Sequence, residues 1–144
     1  MFAFTLRQSV FLLLFSCLIF GSTGCYRTMQ LGISSTKSSN SGRPFYVMVR
    51  KADEKTYISE DYKAVSNKLF SYPKDKSILE RKVIIPGQFV EMSIKKPAEV
   101  DIAIYFFFTD YGENWRLSVN QPFYSQMLID LGSNQIKRVR VQKR

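Results

Sequence analysis

Apolar and polar residues alternate with a period of two along most of the chain, the spacing of strands with one buried face. Met29, Leu31 and Ile33 alternate with Gln30, Gly32 and Ser34. After a polar stretch, Thr36 to Gly42, Pro44 opens a second run. There Phe45, Val47 and Val49 share one face and Tyr46, Met48 and Arg50 the other. Leu79 to Ile85, Pro86-Gly87 and Phe89 to Ile94 read as strand, type II turn and strand, since Gly supplies the positive φ that such a turn needs. Val100 to Phe108 is apolar on both faces, which predicts a central strand covered on both sides. Asp110 to Asn114 turns the chain into Trp115, Leu117 and Val119. Tyr124 to Leu131 and Gln135 to Val141 form a last hairpin around Gly132-Ser133-Asn134.

One segment breaks this rhythm. Tyr62, Val65 and Leu69 repeat at helical spacing, with Ser59 as the expected cap and Glu60 and Asp61 in the first turn. The prediction is an all-β fold: a two-sheet sandwich of about eight strands with one short helical insertion. The polarity of Thr36 to Gly42 predicts an exposed, flexible connector whose alteration hardly touches folding.

The first 24 residues follow a different logic. One positive charge, Arg7, precedes the apolar run Val10 to Phe20, and Gly21, Ser22, Thr23 and Gly24 lead to Cys25. A basic start, a short apolar core and small residues at the cleavage site predict a signal peptide over 1–24 and a mature domain over 25–144. The run is too short for a membrane-spanning helix, which needs about 20 apolar residues. Small residues before Cys25 resemble a bacterial lipobox, in which the cysteine sulfur receives a diacylglycerol, with acyl chains such as palmitate, and the cysteine becomes the mature N-terminus. Ser22 stands where an aliphatic residue is usual. Two alternatives stay open: lipidation at Cys17, and Cys25 as an ordinary cysteine past a conventional cleavage site. Lipidation would consume the one thiol left in the exported domain. Residue 26 is Tyr rather than the Asp that usually marks inner-membrane retention in Gram-negative cells, so the outer membrane, facing the periplasm, is the expected destination.

Composition then narrows the chemistry. The chain has 144 residues, 15% of them aromatic, and no histidine. Histidine-based catalysis and metal ligation are therefore excluded. The two cysteines, Cys17 and Cys25, cannot build a disulfide framework. A formal charge of +9 invites nucleic acid as a partner. Five of those bases, Lys137, Arg138, Arg140, Lys143 and Arg144, gather in the last strand and the tail. Such an edge reads as a solvated strand that resists aggregation, or as a surface touching lipid headgroups or a partner. An exported protein rarely meets nucleic acid, so none is expected. Asp101, inside the greasy strand, is the one carboxylate placed to act as a raised-pKa acid, and a wet position at the strand start is the simpler reading. No nucleophile or phosphate-loop motif occurs, so neither enzyme nor cofactor is predicted. Tyr46, Tyr105, Tyr111 and Tyr124 could mark a binding surface or simply pack.

Ser41-Gly42-Arg43-Pro44 followed by Val47-Met48-Val49-Arg50 is similar to the GRP…VxVR segment of the TssJ family, the lipoproteins of type VI secretion systems. The order that follows also resembles that family over roughly Ser41 to Leu117. A helical insertion at Asp53 to Leu69, the Pro86-Gly87 turn, the strand into Asp110-Tyr111-Gly112, and Trp115-Arg116 come in its sequence. Lys51-Ala52-Asp53 departs from the usual aromatic-polar-Leu run. The resemblance implies a transthyretin-like sandwich anchored in the outer membrane through Cys25 and facing the periplasm. It further implies a tether without chemistry that binds a TssM-like inner-membrane protein through the loop between the first two strands. Here that loop is Lys37, Ser38, Ser39, Asn40, Ser41 and Gly42. The rival expectation is another exported lipoprotein that binds a small ligand or an envelope polysaccharide.

Overall fold

A computed structural model describes Thr28–Gln142. The signal-peptide segment, Cys17 and Cys25 lie outside the described residues, as do Lys143 and Arg144. Eight strands form two four-stranded sheets. They are β1 (Thr28–Ser34), β2 (Phe45–Lys51), β3 (Ile78–Ile84), β4 (Phe89–Lys95), β5 (Ile102–Phe107), β6 (Arg116–Val119), β7 (Gln126–Leu131) and β8 (Ile136–Gln142). One sheet runs β4-β1-β7-β8 and the other β3-β2-β5-β6. Every pairing is antiparallel except β1 with β7. The expected sandwich is borne out.

The period-two pattern explains the core. Met29, Leu31 and Ile33 of β1 and Val90, Met92 and Ile94 of β4 are buried from one sheet. Phe45, Val47 and Val49 of β2 and Ile102, Ile104 and Phe106 of β5 are buried from the other. At full burial each such side chain contributes about 1.5–3 kcal/mol. The turn at Pro86-Gly87 is as expected: Gly87 has φ +84° and the Gln88 N–H donates to the Ile85 carbonyl at 3.1 Å.

The helical insertion differs from expectation in its caps. There are two short helices, α1 (Glu54–Ser59) and α2 (Tyr62–Leu69), and Ser59 ends the first instead of capping the second. Asp53 and Asp61 are the N-caps, accepting from the backbone N–H of Thr56 and Ala64, each at 2.7 Å. Glu60 takes an extended conformation between the helices, and its carboxylate accepts from Arg50 at 2.7 Å. Burial of Arg50 on the outer face of β2 leaves its charge to be compensated from above. Glu60 supplies that charge, and the helix breaks there.

The helices cover the outer face of β2 and β5, so the two-faced apolar pattern of β5 is accounted for. Tyr105 is fully buried there, 6.4 Å from the Tyr57 ring, and Tyr62 lies 5.8 Å from Phe107. Arg116 of β6 ties the insertion down. Its Nη1 donates to the Tyr57 and Glu60 carbonyls, both at 2.6 Å, while its guanidinium lies over the Tyr57 ring.

Candidate functional site

Ser34, at the end of β1, and Phe45, at the start of β2, lie at the same pole of the sandwich, joined by residues 35–44. Three further turns, β3–β4, β5–β6 and β7–β8, close the two sheets at this pole. The β1–β2 loop is fastened to all three. Ser35 Oγ donates to the Gln88 carbonyl at 3.2 Å and accepts from Gly87 N–H at 3.1 Å. Ser39 Oγ donates to the Gly132 carbonyl at 2.7 Å, and the Asn40 N–H donates to the Ser133 carbonyl at 2.6 Å. Asn40 Oδ1 accepts from the Thr109 N–H at 2.7 Å, while its Nδ2 donates to the Arg43 carbonyl at 3.0 Å.

These contacts correct the expectation of a flexible connector. Ser39 is 0% and Asn40 5% exposed. A polar side chain can be buried only where its donors and acceptors are satisfied, and here they bond the backbone of neighbouring turns. Asn40, Ser41 and Gly42 have φ of 50°, 55° and 74°, three successive left-handed residues. Asn and Gly tolerate that region; Ser41 stores about 1 kcal/mol or more there, held by the clamps around it. The loop is a rigid left-handed turn. Lys37, Ser38, Ser41 and Gly42 are exposed on its outer side. Of the predicted binding residues, four are thus displayed and two, Ser39 and Asn40, are buried supports.

The opposite pole is where β1 begins at Thr28, paired with Lys95 at the end of β4. Seven strand residues separate the two poles, about 20 Å at ~3.3 Å per residue.

Asp101 sits half-exposed before β5, accepting from the Gln121 N–H at 3.0 Å, as its wet position suggested. Among the described residues no group of three or more Cys, Asp or Glu could hold a metal ion. Of the four tyrosines, Tyr105 packs in full, and desolvation pushes its phenol up to about 12. Tyr46 and Tyr111 stay exposed. The Tyr111 ring stacks on Tyr62 at 3.9 Å, and Tyr46 meets Phe70 edge-on at 5.2 Å.

Sequence reasoning missed the polar cluster beneath the helices. Arg50 Nη1 and Lys68 Nζ share Glu60, at 2.7 and 3.3 Å, and Lys68 also reaches Asp75 at 3.6 Å. Hydrogen bonds from Ser77, assisted by Lys68, lower the pKa of Asp75. The signal was present: a helix laid on the outer face of β2 has to bury Arg50 along with Met48.

Comparison with known proteins places this architecture. No curated protein matches the sequence. Among solved structures, Serratia marcescens Lip, a membrane-bound component of the type VI secretion system, is 15% identical. The match covers 82% of this chain and 98% of that one, with a TM-score of 0.62. The type VI secretion lipoprotein TssJ1 from Pseudomonas aeruginosa is 14% identical, covering 81% and 97%, with a TM-score of 0.61. A chain in a structure described as the type VI secretion protein TssM C-terminal domain from EAEC is 18% identical, covering 76% and 95%, at 0.60. These likenesses show a shared fold and bear out the resemblance to TssJ at that level. The model of the IglE N-terminal domain matches residues 46–131, more than half of the sequence, and the chain therefore belongs to the IglE family.

Proposed function

We propose that this protein is a lipid-anchored tether of a type VI-like secretion complex, holding the periplasmic part of a TssM-like inner-membrane protein. Cys25 carries the lipid after removal of 1–24, the membrane is the outer one, and the domain faces the periplasm. The role is structural, without catalysis or cofactor. The observation that carries this reading is the build of the β1–β2 loop. Buried Ser39 and Asn40 fix it as a left-handed turn, and it displays Lys37, Ser38 and Ser41 at the pole away from the start of β1. A rigid loop on a sandwich suits recognition, because little conformational freedom is left to lose on binding. The fold shared with type VI lipoproteins, and with a chain from a TssM-domain structure, supports the same partner class.

The test must spare the supports. Shortening the loop would remove the clamps and confuse folding with binding, so point changes on its outer side are needed. Lys37→Glu with Ser38→Arg should abolish recovery of the inner-membrane partner in pull-downs from detergent-solubilised membranes, with melting temperature unchanged. Equal recovery by variant and wild type refutes the loop as the binding element.

A further inference from the structure

The flank of the sandwich on which both sheets end is open. β8 closes one sheet and β6 the other, and the two strands do not pair. Near the loop pole they are tied, since the Ile136 N–H donates to the Asn114 carbonyl at 2.7 Å and the Gly112 N–H to the Asn134 carbonyl at 2.9 Å. Beyond Ile136 no backbone bond links β8 to β6 among the described residues. A cleft of about 380 Å³ lies between them there, lined by Leu117, Val119, Tyr124, Met127, Val139 and Val141. Val119 and Met127 are buried while Val141 is 46% exposed, so the cleft leads from the core to the surface. The rest of β8 has a different character. Lys137, Arg138 and Arg140 are exposed. Asp130 of β7 lies opposite Arg138 in register and accepts from Arg140 at 3.0 Å. Lys137 and Arg138 form no ion pair among the described residues.

We infer that β8 is a docking edge for an extended acidic segment of a partner protein, which adds a fifth strand to the β4-β1-β7-β8 sheet. An edge strand carries a row of backbone donors and acceptors, and an extended chain satisfies them by pairing alongside. Side chains of such a strand alternate, so every second one enters the cleft and the others stand out beside Arg138 and Arg140. Apolar side chains suit the first position and carboxylates the second. A second copy of this chain is the wrong occupant. Pairing β8 with β8 would set Lys137, Arg138 and Arg140 of one copy beside those of the other, and like charges on neighbouring strands destabilise the pair. The charges that repel a copy attract a strand of opposite sign. The open stretch, Val139 to Gln142, accepts about four residues of an added strand. Recognition on this flank is separate from recognition by the β1–β2 loop, and neither depends on the other.

The full-length chain, in a neutral detergent, is titrated into dye-labelled peptides, and fluorescence anisotropy reads binding. A peptide alternating valine and glutamate should bind. One alternating valine and lysine should bind about tenfold more weakly, as should one alternating serine and glutamate, which leaves the cleft unfilled. Methylating every backbone nitrogen of the first peptide keeps its side chains and charge but removes its donors, and should abolish binding. Lys137→Glu with Arg138→Glu should weaken the glutamate peptide about tenfold and strengthen the lysine peptide. Lys63→Glu with Lys74→Glu, both exposed and away from β8, makes the same change in net charge and should leave affinity within about twofold of wild type. Amide exchange along Val139–Gln142 should slow on binding. The inference is overturned if the two charged peptides bind alike, if both pairs of substitutions cost the same, if full methylation leaves affinity unchanged, or if no peptide binds at millimolar concentration. A concentration-dependent dimer protected along β8 would make a second copy the occupant and also overturns it. None of these results bears on partner binding by the loop, which the Lys37 and Ser38 substitutions read.

Discussion

Asn40→Ala is the substitution that best separates a clamped loop from a loose one. The native side chain accepts from the Thr109 N–H at 2.7 Å and donates to the Arg43 carbonyl at 3.0 Å, at a site 5% exposed. Each such bond is worth about 1 kcal/mol net. Alanine would also have to occupy φ 50°, which costs about 1 kcal/mol more than for Asn. The sum is about 3 kcal/mol. For a domain of this size that lowers the melting temperature by roughly 10 °C. Asn40→Gly keeps the left-handed backbone while losing both bonds, so it should cost about 2 kcal/mol. Ser38→Ala, on the exposed side of the same turn, should fall within about 0.5 kcal/mol of wild type. Urea titrations of the three variants measure these values directly. If Asn40→Ala matches Ser38→Ala, the loop is the flexible connector its polarity suggested and the clamp argument fails.

Removing Glu60 strands a buried guanidinium. Glu60→Leu should destabilise by about 3 kcal/mol, and R50M/E60L should regain most of it, with the double-mutant cycle by denaturation as the check. Gly87→Ala forces a side chain into φ +84° and against Lys37 Cγ, 3.0 Å from the added carbon, and should cost about 1–2 kcal/mol in melting experiments. Burial pushes the Tyr105 phenol up to about 12 in the folded chain, against about 10 for an exposed tyrosine. The unfolded chain therefore loses its proton first as pH rises. The contribution of Tyr105 is complete below pH 10 and is lost towards pH 12, on the order of 2 kcal/mol. Tyr105→Phe should flatten that alkaline fall, and an unchanged slope refutes the assignment.

Strand positions were legible because they depend on a local period. Met29, Leu31 and Ile33, or Val90, Met92 and Ile94, announce a buried face without knowledge of what covers it. The Pro86-Gly87 turn was legible for the same reason, since its φ requirement is written in one residue. Burial of polar groups is not local. Ser39 and Asn40 look like loop residues until the β5–β6 and β7–β8 turns arrive beside them, from positions 69 and 93 residues further along. Arg50 likewise reads as solvent-facing until α1 and α2 close over β2. Long-range pairing decides those cases.

The clamped loop also bears on the proposed role of holding a partner across an envelope. Fixing one residue's backbone costs about 1–2 kcal/mol, so a disordered six-residue connector would forfeit roughly 6–12 kcal/mol of its contact energy on being ordered by a partner. In this fold that ordering happens during folding. The Ser39 and Asn40 bonds to three carbonyls and one N–H compensate it, together with the apolar burial behind them. On the proposed reading, Lys37, Ser38 and Ser41 would meet a partner with little backbone freedom left to lose. A consequence follows for variants. Substitutions at buried Asn40 should weaken partner binding in proportion to their loss of local order, even where the domain stays folded at the assay temperature. Substitutions at Lys37 should weaken it with no change in order. Amide exchange at Ser41 and Gly42, measured beside partner affinity, distinguishes the two routes. An Asn40→Gly protein with fast exchange at those amides and undiminished affinity would refute preorganisation as the source of binding strength.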